Sequence, residues 1–176
     1  STFRPSASSP WLVDELSARF VGILDDLEAN LDIRCLVITG RGRAFCAGED
    51  IKTDALTDAD LDMLTELLDR IEASRMPVIG AINGFAAGGG FELALCSDIR
   101  LAAEGAKFIS AGVNVGGIGG TYRLPRLIGV AASKAVLMTG EPHDAAYMHR
   151  VGLLADVHAA DELMPAALRL GNRIAT

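Results

Sequence analysis

Residues 83–95 read NGFAAGGGFELAL, and this stretch sets the tightest limit on how the chain can fold. The run before it, Pro77-Val78-Ile79-Gly80-Ala81-Ile82, is short, apolar and partly β-branched, the pattern of a buried strand. The run after it, Phe91-Glu92-Leu93-Ala94-Leu95-Cys96, is rich in helix formers. Gly84, Gly88, Gly89 and Gly90 lie between. A strand that turns through glycines into a helix leaves backbone N–H groups facing the turn. With no Cβ in the way, another chain or a ligand can approach that backbone closely. The helix start adds unsatisfied donors and a positive dipole end. Such a turn can hold an oxygen that carries negative charge, and Glu92 stands one turn inside the helix. Taken alone, the glycines read equally well as a tight connection.

A second stretch repeats the pattern about forty residues earlier. Cys35-Leu36-Val37-Ile38-Thr39 reads as a buried strand and runs into residues 40–51, GRGRAFCAGEDI. Together the two stretches resemble the crotonase superfamily, the enoyl-CoA hydratase/isomerase family. Its first motif matches LVITGRGRAFCAGEDIK, and its second matches PVIGAINGFAAGGGFELALCSDIRLAAE. A weaker third match is AKFISAGVNVG followed by GGTYRLPRLIG. The resemblance covers nearly the whole chain. It implies an α/β fold, a crotonase-like spiral of repeated strand–strand–helix units, although no sequence repeat is visible. Residues 1–176 are expected to form a single core domain. Set against the family, that domain resembles one without its first strands and most of its C-terminal helical region.

The chain has 176 residues, enough for one domain with a sizeable core. Half of its residues are hydrophobic and the mean hydropathy is +0.31. Such a composition fits a subunit that buries surface against its own copies, and the resemblance implies a homo-trimer or homo-hexamer. The net charge of −7 gives no sign of nucleic-acid or anionic-membrane binding. Cys35, Cys46 and Cys96 have no paired spacing and read as reduced, in a cytoplasmic protein. His143, His149 and His158 form no metal-ligand spacing. No apolar run is long enough to span a bilayer.

Along the chain, Ser9 and Pro10 suit a helix start. Trp11, Leu12, Leu16, Phe20, Ile23, Leu24 and Leu27 then recur at helical spacing, as a core stripe. A strand is expected over residues 33–39 and a loop over residues 40–50. Thr57 is expected to cap a helix carrying Leu61, Leu64, Leu67, Leu68 and Ile71 toward the core. Strands are expected over residues 77–82, 99–103, 107–110 and 153–158. Further helices are expected around LPRLIG and AASKAVLMTG, after Asp144, and over residues 162–175. Gly116-Gly117-Ile118-Gly119-Gly120 looks at first like a nucleotide loop, but it lacks the third glycine at the dinucleotide spacing and no Gly-Lys-Ser/Thr follows it.

The resemblance also implies chemistry. Members act on acyl-CoA thioesters through an enolate-like anion on the thioester oxygen. Two backbone N–H donors face that oxygen, and losing one such donor typically costs about 3–4 kcal/mol. Motif matching assigns them to Glu49 and Gly89. Glu92 matches one of the two catalytic glutamates of the hydratases, which handles the added water. A carboxylate beside an apolar acyl pocket has its charged form disfavoured, which suits acid–base work. Gly112 falls where the second glutamate is expected, and no Asp or Glu lies between Lys107 and Leu124.

The resulting expectation is an enoyl-CoA hydratase. The alternatives are a CoA-thioester decarboxylase, for which VNVG is suggestive, an enoyl-CoA isomerase, a thioesterase, or a catalytically impaired CoA-binding relative. No separate cofactor and no metal are expected, because coenzyme A enters as part of the substrate. In the family, backbone at Ala47, Glu49 and Ile51 faces the adenine, and Arg43 and Lys52 are the local cations for the phosphates. Tyr122 and Arg123 receive no role, and Asp98 reads as structural.

Overall fold

The structure, a computed structural model, describes residues 12–48, 58–115 and 119–176, with the side chains of 12–16, 58–60 and 115 set aside. The expected cap residues Ser9, Pro10 and Thr57, and the stripe side chains Trp11, Leu12 and Leu16, lie outside that description.

The chain begins with helix α1 (Leu12–Ala29), then strands β1 (Leu36–Thr39) and β2 (Ala44–Cys46) and helix α2 (Asp58–Glu72). Next come β3 (Val78–Ile82), β4 (Phe85–Ala87) and the short helix α3 (Gly89–Leu95). β5 (Ile99–Ala103) and β6 (Lys107–Ile109) lead into a 3-10 turn over Ala111–Val115. After it stand α4 (Arg123–Ile128), α5 (Val130–Thr139), β7 (His143–Asp144), α6 (Ala145–Arg150), β8 (Asp156–His158) and α7 (Leu163–Ala175).

Among the described residues the strands form two four-stranded sheets, one ordered β1-β3-β5-β8 and the other β2-β4-β6-β7. In each successive unit the first strand joins one sheet and the second strand joins the other. Val37 pairs with Ile79 and Ile79 with Ile99, while Ala44 pairs with Phe85 and Phe85 with Lys107, all in parallel. Among the described strands only β7 runs antiparallel to its neighbour, β6. This is a spiral of repeated strand–strand units, as the resemblance leads one to expect, built on parallel strands whose crossovers include helices.

Alternation along the first sheet divides its side chains between two cores. Val37, Ile79, Ala81, Leu101 and Ala103 pack beneath Leu163, Ala166 and Ala167 of α7. Leu36, Ile38, Val78, Ile82 and Ala102 point the other way, into the larger core with Phe45, Phe91, Phe108 and Ile71. Asp98 is structural, since its Oδ2 accepts the Val78 N–H at 2.7 Å and ties β5 to the start of β3. Asp144 caps α6 by accepting the Tyr147 N–H at 2.7 Å.

Three expectations need correction. The loop read over residues 40–50 contains β2, and the glycine stretch after Ile82 contains β4. Each is three residues long, too short to carry a period, and each forms only by pairing in the second sheet. Leu61 is exposed, whereas Leu67, Leu68 and Ile71 are buried. The buried stripe of α2 therefore runs along its C-terminal half, where the helix packs on α1 and α3.

Candidate active site

The two strand-and-glycine stretches meet. Gly48, at the end of the first, has φ +77, a conformation that favours glycine. A Cβ added there would fall 2.5 Å from the Ala87 carbonyl oxygen and 3.5 Å from the Gly89 nitrogen. A Cβ at Gly90 would fall 2.0 Å from the Cys46 carbonyl oxygen. The backbones of the two loops thus touch at positions where no side chain fits.

Gly89 and Gly90 open α3. The Gly88 carbonyl accepts the N–H groups of Phe91 and Glu92 at 2.9 and 3.1 Å, closing the first turn. The N–H of Gly89 belongs to the set of first-turn donors that a helix leaves without an internal acceptor. Among the other residues assigned by sequence, Ala47 and Arg43 are exposed. Glu49, Ile51 and Lys52 lie outside the described residues.

Glu92 is half-buried one turn into α3. Its carboxyl lies against the backbone of Gly119 and Gly120, where an added Cβ would come within 2.6 and 2.8 Å of Oε1. Burial pushes this carboxyl up from 4.5 to about 7, and the nearby Arg123 guanidinium pulls it the other way. A group that titrates near neutrality can both take and return a proton. Cys96, one turn further on, donates its thiol to the Glu92 carbonyl at 3.3 Å. Burial pushes that thiol up to about 12, with Arg123 again opposing, so Cys96 stays a neutral core group.

Gly112 lies in the 3-10 turn over Ala111–Val115, a segment that contains no carboxylate. Among the described residues, the third motif therefore brings no second acid to the site. Instead, the tail of that motif brings Gly119, Gly120 and Arg123.

Two features of the site were missed by sequence reasoning. Arg123 is buried and paired with Asp69 and Glu72, but those partners lie more than fifty residues away in sequence. Asn83 holds the first loop. Its Oδ1 accepts the Gly40 N–H at 2.9 Å, and its Nδ2 donates to the carbonyls of Gly42 and Ala44 at 3.0 and 3.3 Å. A polar residue at a strand end beside a glycine was the available signal for Asn83.

Comparison with known proteins agrees with this fold. The enoyl-CoA hydratase/isomerase family profile matches residues 5–176. A crotonyl-CoA hydratase of Syntrophomonas wolfei is 42% identical over 151 residues, covering 81% of this chain and 58% of that protein. A 1,2-epoxyphenylacetyl-CoA isomerase of Escherichia coli is 38% identical over 175 residues, covering 93% of this chain and 67% of that protein. The crystal structure of an enoyl-CoA hydratase from Bacillus anthracis superposes with a TM-score of 0.89 at 32% identity, covering 99% of this chain and 72% of that one. This chain thus spans roughly three fifths to two thirds of the length of these two sequence relatives. Matched along its length in sequence and in fold, the chain belongs to the enoyl-CoA hydratase/isomerase family.

Proposed function

We propose that this chain carries an acyl-CoA site in which Glu92 is the working acid–base group, and that its reaction is the addition of water to a 2-enoyl-CoA. The observation that carries the reading is the place of Glu92. It is a half-buried carboxyl pushed up to about 7, three residues past the Gly89 donor, where the two glycine loops touch.

In this reading the thioester oxygen accepts from the N–H groups of Gly89 and Glu49. Water oxygen bonds to C3 while one of its protons passes to the Glu92 carboxylate. The electron pair of the double bond moves to the thioester oxygen as an enolate. Glu92 then returns a proton to C2, the enolate collapses, and the sum is one water added. Coenzyme A lies along the first loop, at Ala47, Glu49 and Ile51, with Arg43 and Lys52 toward its phosphates. No separate cofactor takes part.

A second reading is isomerisation of the acyl double bond. The specific observation in its favour is Gly112 at the place of the second glutamate, since moving one proton needs one base. One of the relatives is itself named an isomerase. A panel of 2-enoyl-, 3-enoyl-, malonyl-type and saturated acyl-CoA separates the classes. Hydration of the 2-enoyl thioester supports the first reading. Turnover of only the 3-enoyl thioester establishes the second. Decarboxylation, hydrolysis or no turnover at all contradicts both.

The same reading places the enzyme in the cytoplasm, in fatty acid metabolism, as a homo-trimer or homo-hexamer. Among the described residues no helix is long and apolar enough to cross a membrane. Supporting assembly, Val130 and Met138 of α5 are 60% and 68% exposed. Sedimentation that finds only monomer at micromolar concentration contradicts the assembly.

A further inference from the structure

Arg123 is only 5% exposed. Its Nε donates to Glu72 Oε2 at 2.9 Å, and its Nη2 donates to Asp69 Oδ1 at 2.5 Å. Both carboxylates stand on α2 and are themselves 44% and 59% exposed. The guanidinium also lies 4.4 Å from the centre of the Tyr122 ring, and the Tyr122 hydroxyl donates to Asp69 at 3.2 Å. A buried cation needs such partners, because removing them leaves an uncompensated charge out of water. The guanidinium fork is therefore fixed in place by α2.

The residues just before Arg123 reach the site. Gly119 and Gly120 lie against Glu92 Oε1, and the Gly120 carbonyl accepts the Leu124 N–H at 3.0 Å. One short segment thus joins the wall of the Glu92 carboxyl to a cation anchored on another helix. We propose that Arg123 is a positioning residue for Glu92, pinning the Gly119 and Gly120 turn onto the carboxyl through Asp69 and Glu72 and holding a fixed positive charge beside it. The inference rests on Glu92 being the acid–base group.

Among the described residues, the titratable and charged groups around this arrangement include Cys96 following the helix of Glu92, Arg123 and Tyr122 at the start of α4, Arg126 of α4 with its guanidinium 5.8 Å from the centre of the Tyr122 ring, and Asp69 and Glu72 on α2. The sign of the effect separates this role from simple packing. Burial raises the Glu92 carboxyl and Arg123 lowers it. Deleting the charge while keeping the site dry moves the midpoint up. Merely loosening the site admits water and moves it down, toward the ordinary carboxylate range.

The test is a carbon-13 titration of the glutamate carboxyls in the intact chain, with Glu92→Gln identifying the Glu92 signal. In Arg123→Met the Glu92 midpoint is expected to rise by about 1 pH unit, the low end for loss of a nearby opposite charge. In Arg123→Lys it is expected to stay close to the parent value. A midpoint that is unchanged or lower in Arg123→Met overturns the proposal. Should Arg123→Met fail to fold, Arg123→Gln keeps a hydrogen-bonding side chain toward Asp69 and Glu72 without the charge. The Glu92 midpoint is expected to rise in it too, and an unchanged or lower midpoint overturns the proposal. The titration needs no substrate. If the midpoints move as expected while Glu92→Gln keeps full activity, the acid–base reading of Glu92 fails and the electrostatic placement of Arg123 stands.

Discussion

Asn83 Oδ1 accepts the backbone N–H of Gly40 at 2.9 Å, so a side chain leaving β3 holds the start of the first loop. The same amide donates to the Gly42 and Ala44 carbonyls, which places the loop in register with β2. Asn83→Ala leaves these backbone groups without their partner. A loss of about 2–3 kcal/mol is expected, the scale of stranded part-buried polar groups, and urea denaturation measures it. Because the loop leads to Gly48 and the Gly89 donor, kcat is expected to fall more than KM rises. A variant as stable and active as the parent would show that Asn83 does not set the loop.

Glu92 is expected to make stability depend on pH. Its folded midpoint is about 7 against an ordinary 4.5, so the folded state holds the proton more tightly than the unfolded chain. The protonated carboxyl favours the fold below the unfolded value. That contribution declines as pH rises through the interval and is gone above about 7. Glu92→Gln, which cannot ionise, should therefore be more stable than the parent at pH 8, by roughly 1–3 kcal/mol on the scale of such a shift. Near pH 4 the two should be nearly equal. Denaturation curves at the two pH values check this, and an equal difference at both would refute it.

Gly119 and Gly120 make separable predictions. The three atoms nearest to a Cβ at Gly119 all belong to the Glu92 side chain, Oε1 first at 2.6 Å. Gly119→Ala is therefore expected to displace the carboxyl and lower kcat at least tenfold while thermal stability changes little. Gly120 has φ +66 and an added Cβ would also meet Leu95 at 3.1 Å. Gly120→Ala is thus expected to lose activity and also about 1 kcal/mol or more of stability, from strain in the left-handed region. Activity and melting temperature on the same preparations distinguish the two.

Much of this arrangement was legible in the chain. The runs at 35–39 and 77–82 carry enough β-branched and apolar residues to be read as strands, and the glycines after them mark close backbone approach. The place of Glu92 in a helix that opens at the glycines follows from the helix-forming run after them. β2 and β4 were not legible, since AFC and FAA are too short to alternate and become strands only by pairing within the second sheet, β2 with β4 and β4 with β6. The exposure of Leu61 depends on where α1 and α3 lie against α2, which the stripe alone does not encode. Residues 116–120 read as a poor nucleotide loop, whereas Gly119 and Gly120 line the Glu92 carboxyl. That contact, like the ties from Arg123 to Asp69 and Glu72, is long-range and leaves no local pattern.

The central claim is that Glu92 performs the proton transfers on an acyl-CoA. Its most direct test is kcat for hydration of a 2-enoyl-CoA by Glu92→Gln, which keeps the side-chain shape and removes the titrating group. The account predicts a fall of at least about a hundredfold, the usual range for a positioned acid–base group, with CoA affinity nearly unchanged. A Glu92→Gln enzyme that hydrates the substrate at the parent rate would contradict it.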